Sequence, residues 1–297
     1  MSTTEISATA TATAAAPPWW LRPLAWAELF ALSNLAFLAV DIALAHSVNA
    51  FEHPAEWIPV IFSVGVTPLL MCAMLLGGGP EPTLRGASTG RRRVARWVGL
   101  LAGWSSIVVG VAGLIWHLNG DYFQEQTIRN LVYTAPFAAP LAYTGLGLLL
   151  LLDRMLDART LDWARWVALL AAGGFAGNFV LCLADHAQNG FFLWSEWTGV
   201  VAGAVAFGFL LAVVVVPDNR PLIGLCLVVM GLQIIVGLVG FWLHARGNLQ
   251  AISPSYLSRF VYGAPIFAPL LFADLALLGA LGLWAQAVAV ARKPPAG

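Results

Sequence analysis

The sequence predicts an all-α polytopic membrane protein with eight transmembrane helices, built as two parallel repeats of four helices. Three observations support this fold class: the composition, eight long apolar runs, and motifs that occur twice. Of the 297 residues, 60% are hydrophobic and only 10% are charged, a balance that a single soluble core of this size does not bury. The lipid bilayer is the expected environment, and the formal net charge of zero gives no reason to expect nucleic acid as a partner.

Eight apolar runs are long enough to cross about 30 Å of hydrocarbon. In chain order they occupy residues 25–46, 56–77, 97–117, 130–152, 164–186, 197–216, 221–244 and 260–285. Pro217 and Pro221 close and open the sixth and seventh runs, as expected of a tight connection between helices. The runs divide the chain into a first repeat at 23–155 and a second at 156–292. A disordered cytoplasmic tail is predicted at 1–22 and a short cytoplasmic tail at 293–297.

The basic residues predict the orientation of these helices. Three arginines flank one membrane face, namely Arg129, Arg246 and Arg259. The other twelve basic residues flank the opposite face: Arg22, Arg85, Arg91, Arg92, Arg93, Arg96, Arg154, Arg159, Arg165, Arg220, Arg292 and Lys293. The positive-inside rule therefore places both termini in the cytoplasm, in a membrane of the bacterial inner-membrane type. Because four crossings return the chain to its starting side, the two repeats run parallel.

Two motifs recur at nearly constant spacing. The segment GVAGLIWH at 110–117 reappears as GLVGFWLH at 237–244, 127 residues later. The segment YTAPFAAPL at 133–141 reappears as YGAPIFAPL at 262–270, 129 residues later. Each copy of the second motif carries two prolines, which predict kinks in the fourth and eighth helices and unpaired carbonyls beside them. These pairs predict a duplicated membrane unit with any shared site between its halves.

A third pair of motifs places polar residues along the first and fifth helices. Asn34 and Asp41 precede Glu56-Trp57, and Asn178 and Asp185 precede Glu196-Trp197, with both Asn-to-Asp gaps seven residues long. Seven residues are close to two helical turns, so each Asn and Asp share a stripe. The pattern predicts a polar line that leads inward from the mouth of each repeat, with the two copies at matching depth.

Four histidines lie at the ends of the first, third, fifth and seventh helices: His46, His117, His186 and His244. The predicted topology puts all four on the outer side, together with seven of the fifteen carboxylates. We expect one acidic, histidine-bearing vestibule near the pseudo-two-fold axis.

The remaining intramembrane polar residues complete a candidate pathway. Ser106 matches Gln233 at the 127-residue spacing, whereas Asp274 matches Gly145 and thus has no acidic counterpart. A lone intramembrane acid is a candidate proton or ion carrier, and equally a structural partner for an Asn, Gln or Arg side chain. The candidate polar pathway or binding residues are Asn34, Asp41, Glu56, Ser106, Asn178, Asp185, Glu196, Gln233 and Asp274.

Three functions fit these residues. The sequence favours transport of an ion or small polar solute through the polar pathway. The first alternative is a metal- or haem-dependent membrane enzyme or redox subunit, because imidazole and carboxylate bind transition metals and His117 with His244 suits axial ligation of a haem or a shared ion. The second is a non-catalytic subunit of a membrane complex. Whether the chain is an enzyme, and whether it forms homo- or hetero-oligomers, stays open on the sequence alone.

Overall fold

The computed structural model describes residues 18–76, 90–120 and 122–292, and all regular structure in these ranges is helical. The ten α-helices are α1 Pro23–His46, α2 Trp57–Leu76, α3 Gly90–Asn119, α4 Ile128–Tyr133, α5 Leu141–Met155, α6 Leu161–Gln188, α7 Trp197–Val215, α8 Arg220–Gln250, α9 Tyr256–Val261 and α10 Leu270–Ala291. The predicted tail at 293–297, and residues 1–17 of the other tail, lie outside the described residues. Trp19–Leu21 form one turn of 3-10 helix before α1.

Seven of the described helices are long and apolar enough to cross a membrane, so the chain is a multi-pass membrane protein. They are α1, α2, α3, α6, α7, α8 and α10. The fourth predicted run, 130–152, is the exception. It divides into the six-residue α4 and the fifteen-residue α5, and at 1.5 Å per residue α5 is only about 22 Å long.

The fourth and eighth predicted helices are broken rather than kinked. Thr127 caps α4 and Ser255 caps α9, each by accepting a hydrogen bond from a backbone N–H three residues on. Each short helix is followed by a turn that contains the two prolines of its motif, and the second proline, Pro140 or Pro269, directly precedes the next long helix. Two prolines within five residues remove too many backbone donors for a continuous helix to survive.

The long helices form two sets, each of which closes a ring of four contacting helices. In the first bundle α1 contacts α2, α2 contacts α3, α3 contacts α5 and α5 contacts α1. In the second bundle α6, α7, α8 and α10 contact each other in the same order. The first and third helices of each ring, α1 with α3 and α6 with α8, are therefore diagonal neighbours across a bundle.

Glycines allow close approach of the third and fourth helices in each ring. A Cβ on Gly110 would lie 2.8 Å from the carbonyl O of Pro140, and one on Gly237 would lie 3.0 Å from that of Pro269. Gly103 and Gly147 form a further close approach between α3 and α5. In a bilayer the hydrophobic effect does not drive helices together, so close van der Waals packing of the backbones at small residues stabilises such crossings. These contacts run in antiparallel order, so α5 returns along α3 despite its short length.

The two bundles meet where α1 contacts α10 and where α5 and α4 contact α6. Across the first of these interfaces, Asn34 Nδ2 donates a hydrogen bond of 2.9 Å to Asp274 Oδ1. Across the other, Gln188 Nε2 donates one of 2.7 Å to the carbonyl O of Val132. The second contact places the C-terminal end of α6 beside α4, close to the proline turn that follows α4.

Candidate functional site

Two of the predicted histidines lie side by side at one end of the first bundle. The ring centroids of His46 and His117 are 6.3 Å apart, and both rings are half-buried. Nδ1 of His117 donates a hydrogen bond of 3.0 Å to the carbonyl O of Pro136. Nδ1 of His46 lies 3.3 Å from the carbonyl O of Glu56, whose carboxylate is within electrostatic range of His117. The diagonal helices α1 and α3 thus each carry an imidazole near the C-terminal end, and the two rings are neighbours.

The other two histidines form a similar group in the second bundle. Nδ1 of His244 donates a hydrogen bond of 2.9 Å to the carbonyl O of Pro265. Nδ1 of His186 lies 3.6 Å from Oε2 of Glu196, and His186 is within electrostatic range of both Glu196 and His244. The end of the molecule that carries all four residues is called the histidine end below.

These contacts fix the orientation of the rings. A carbonyl oxygen only accepts hydrogen bonds, so Nδ1 of His117 and of His244 must carry the hydrogen. In the neutral imidazole Nε2 then has a free lone pair. Among the described residues no hydrogen bond to Nε2 of any of the four rings is found. Metal-binding histidines are held in this way, with the second ring nitrogen fixed by a carbonyl or a carboxylate.

The loop after the first helix of each ring has the same backbone conformation in both bundles. Phe51 has φ +55° and Phe191 has φ +53°, and each amide N–H donates to the carbonyl of the histidine five residues earlier, at 3.2 Å and 3.1 Å. Phe51 stacks on Trp57 and Phe191 on Trp197, with ring centroids 4.1 Å apart in both cases. The strained φ of a bulky residue is maintained because the aromatic stack fixes the loop.

The loop contacts correct the alignment predicted for the first and fifth helices. Equivalent residues are 140 apart, as in the pattern His-x2-Asn-x-Phe-x4-Glu-Trp at 46–57 and 186–197. Asp41 lies five residues before His46, whereas Asp185 directly precedes His186. The two carboxylates therefore differ in depth by one turn, about 6 Å. The predicted match of Asp41 with Asp185 is therefore wrong by four residues. It followed the equal Asn-to-Asp gaps and not the spacing of the histidines.

The predicted single vestibule and the predicted pairing of His117 with His244 also need correction. The imidazole neighbour of His117 is His46, and that of His186 is His244. Each pair belongs to one bundle, because the histidines sit on diagonal helices of the same ring. The symmetry seen in the sequence therefore relates two local sites, and no contact between the two sites is found among the described residues.

The predicted pathway residues are spread over both bundles and the interface between them. Asn34 and Asp274 bond to each other, which is the structural role weighed for Asp274. Asp41 lies near Tyr143, whose hydroxyl donates to the carbonyl O of Pro59 at 2.9 Å, and Asp185 lies near Cys182. No hydrogen bond to the carboxylate of Asp41 or Asp185 is found in the part of the chain that the structure describes.

Several pathway residues are buried in the membrane without a partner for one polar atom. In the described ranges these atoms include Ser106 Oγ, Asn178 Nδ2 and Gln233 Oε1, together with Thr144 Oγ1, which the sequence did not single out. Ser106, Asn178 and Gln233 are all at most 5% exposed. In an apolar environment each such atom costs free energy unless water or a ligand binds it.

A second polar cluster lies at the other end of the first bundle and was not predicted. The Arg154 guanidinium is ion-paired with Glu28, and both are buried. Asp153 is completely buried, accepts a hydrogen bond of 3.1 Å from Trp163 Nε1 through Oδ1, and has no partner for Oδ2 among the described residues. The interpretation of Arg154 as a basic residue flanking the membrane concealed its burial. The adjacent Asp-Arg pair directly after the fourth apolar run was the available signal.

No group of three or more His, Cys, Asp or Glu side chains within the described ranges is placed to hold a metal ion. No protein-family model, curated protein or solved structure matches this chain.

Proposed function

We propose that the protein binds a transition metal through paired imidazoles, one pair in each bundle, and that the bound group is a haem iron or a single ion. The proposal corresponds to the first alternative from the sequence, a metal- or haem-dependent membrane protein, and ranks it above transport. The observation that supports it most directly is the pair formed by His46 and His117, with ring centroids 6.3 Å apart and each Nδ1 engaged by a backbone carbonyl. His186 and His244 form the corresponding pair.

The distance between the rings agrees with ligation of one metal between them. Imidazole nitrogen binds such metals at about 2.0–2.1 Å, so two rings on opposite sides of one metal have centroids roughly 6 Å apart. The Nδ1 contacts of His117 and His244 give the tautomer that exposes Nε2 as the ligand. Nδ1 of His46 is likewise close to a backbone carbonyl, and Nδ1 of His186 lies 3.6 Å from the Glu196 carboxylate.

The number of ligands bears on the choice between a haem and a simple ion. Protein zinc sites take three or four protein ligands, and only two His, Cys, Asp or Glu ligands per site are found in the described part of the chain. A haem supplies four nitrogens itself and accepts two axial ligands from the protein. Side chains on facing helices of a four-helix bundle commonly form such cofactor sites, and each histidine pair comes from two diagonal helices.

We further propose that the chain crosses the inner membrane eight times as two parallel repeats, with both termini in the cytoplasm. The antiparallel course of α5 along α3 supports the eighth crossing, because Gly113 approaches Pro140 and Gly99 approaches Arg154. The matched contacts of the two bundles support the repeat. A reporter fused to the C-terminus should be active only in the cytoplasm, and a reporter active only in the periplasm would overturn this topology.

The metal proposal is tested on the purified full-length protein by metal analysis and an optical spectrum. We expect two equivalents of metal per chain, with a Soret band if the group is haem and none if it is a simple ion. His117→Ala should remove one equivalent and His244→Ala the other. Titration of the apoprotein with haemin, and separately with Cu⁺ or Zn²⁺, shows whether the histidines bind a haem or a simple ion.

The matched control is His53→Ala, because His53 lies in the loop that follows His46 but is exposed. This variant should keep both equivalents. Binding that is absent in all three titrations, or that is equal in His53→Ala and in the His117→Ala and His244→Ala variants, would contradict the proposal.

Transport remains a second candidate because of the buried polar atoms without partners. Ser106 and Gln233 lie on corresponding helices, and Asn34 with Asp274 joins the two bundles at similar membrane depth. If these residues carry protons, proteoliposomes with an internal pH dye should show flux that Asp274→Asn abolishes. Flux that is unchanged in Asp274→Asn would contradict this role for Asp274.

A further inference from the structure

The polar cluster at the end of the first bundle opposite the histidines has no role in the metal site. It consists of Glu28 on α1, Asp153 and Arg154 on α5, and Trp163 on α6. The remaining neighbour of α5, helix α3, contributes Gly99, whose missing side chain leaves room for the guanidinium of Arg154. Among the described residues these are the charged and titratable groups that face Asp153.

The cluster holds two carboxyl groups and one guanidinium. Glu28 is 3% exposed, Arg154 is 4% exposed and Asp153 is not exposed at all. If all three were ionised, the buried cluster would carry one uncompensated negative charge. A buried charge without a paired partner is far more costly than a buried neutral polar group, so such groups are neutralised by a proton or a counterion.

The hydrogen bonds show which carboxyl group lacks compensation. Arg154 NH1 donates to Glu28 Oε1, so the guanidinium is engaged with the glutamate. Asp153 receives only the neutral indole N–H of Trp163, on Oδ1, and its Oδ2 has no partner within the described ranges. The aspartate is thus the carboxyl group that remains when Glu28 and Arg154 have formed their pair.

The corresponding positions in the second bundle lack the whole cluster. They are Ala168 for Glu28, Gly282 for Asp153 and Leu283 for Arg154, and a Cβ on Gly282 would lie 2.8 Å from the backbone N of Ala168. The second bundle therefore closes at this end without the buried ion pair, although Gln286 is buried there and donates hydrogen bonds to the carbonyl O atoms of Val213 and Pro217. The acid, base and acid of the first bundle are not needed for that purpose.

We propose that this cluster is a proton-binding site, with the proton on Oδ2 of Asp153. Uptake of one proton converts the Asp153 carboxylate to the carboxylic acid and brings the net charge of the cluster from −1 to zero. The site lies at the opposite end of the membrane bundle from the imidazoles. Its existence does not depend on whether the histidines bind a metal.

Infrared spectroscopy of the purified full-length protein, in H₂O and after exchange into D₂O, tests the proposal. The wild-type protein should show the C=O stretching band of a protonated carboxyl group, and Asp153→Asn should lose that component. Asp157→Asn is the matched control, because Asp157 is a nearby exposed carboxylate paired with Arg159. The control should leave the band unchanged.

Charge counting gives a second variant that does not alter Asp153 itself. Glu28→Gln removes the competing carboxylate and frees Arg154 to pair with Asp153, so the cluster is neutral without a proton. The same band should disappear from this variant at neutral pH. The proposal is overturned if folded Asp153→Asn has the wild-type spectrum, or if the band persists in Glu28→Gln.

Discussion

The side-chain contacts of the two bundles are alike at the histidine end and different at the opposite end. At the histidine end, both bundles have a histidine bonded to a proline carbonyl, an aromatic stack in the loop and a half-buried glutamate. The lengths of the two histidine bonds agree to within 0.1 Å. At the opposite end, the first bundle buries an acid, a base and an acid, while the second buries Ala168, Gly282 and Leu283.

This difference shows which polar residues a ring of four helices does not need in order to pack. The end at which alanine, glycine and leucine stand in place of the charged residues shows that a ring of four helices closes without the buried ion pair. The histidine end instead carries two imidazoles in each bundle. The histidine contacts thus occur in both bundles, whereas the buried ion pair is found in the first bundle alone among the described residues.

The largest expected effect comes from breaking the buried ion pair of the first bundle. Arg154→Leu, which copies Leu283, should lower the free energy of unfolding by about 3–5 kcal/mol because it leaves Glu28 charged and unpaired. Equilibrium unfolding in mixed micelles measures the change. The triple variant Glu28→Ala, Asp153→Gly, Arg154→Leu copies the whole second-bundle arrangement and should recover most of this loss.

Arg159→Leu is the control for this prediction. Arg159 and Asp157 form an exposed pair with side chains 65% and 55% exposed, so water screens the interaction. We expect a change of at most about 1 kcal/mol. A comparable loss in Arg154→Leu and Arg159→Leu would show that burial of the first pair is energetically unimportant.

The matched glycine contacts sharpen the comparison between the bundles. Gly110→Ala and Gly237→Ala should each lower the free energy of unfolding by roughly 1–3 kcal/mol, because each new methyl group meets the backbone at Pro140 or Pro269. Gly145→Ala has open space around the new methyl group and should change stability by less than about 0.5 kcal/mol. Unequal effects in the first two variants would argue against equivalent packing of the halves.

The histidine bonds should contribute equally to both bundles. His117→Ala and His244→Ala each remove one hydrogen bond to a proline carbonyl that also accepts a backbone N–H, so each should cost about 1 kcal/mol in the metal-free protein. Thermal unfolding of both variants provides the comparison. A silent variant beside a damaging one would break the symmetry of the two sites.

The smallest effect is expected at the interface between the bundles. Asn34→Ala removes the hydrogen bond to Asp274, and interhelical bonds in membranes contribute about 0.6 kcal/mol on average. Ser33→Ala is the control, since Ser33 is exposed and bonds only to Phe30 of its own helix. A loss as large as that of Arg154→Leu would mean that Asp274 depends on Asn34 for more than one hydrogen bond.

Much of the helical layout followed from hydrophobicity, because in a bilayer every backbone group must be paired within a helix. The predicted kinks in the fourth and eighth helices became breaks, because two prolines within five residues remove too many backbone donors for a continuous helix. Local sequence did not reveal which side chains bind the exposed carbonyls of Pro136 and Pro265. His117 and His244 do so. The register of the first and fifth helices was misjudged because a seven-residue polar gap fits the helical period at either alignment.

The sequence by itself determined that this chain lies in a membrane, that its long segments are helices and that certain motifs occur twice, since these properties follow from apolar length and spacing. Only the tertiary structure decided which histidines are neighbours and which charges are buried. Those outcomes depend on which helices become diagonal in a ring and on which residue faces inward at each crossing. His46 meets His117, and Arg154 meets Glu28, because residues far apart in the chain are brought together by packing that no local pattern encodes.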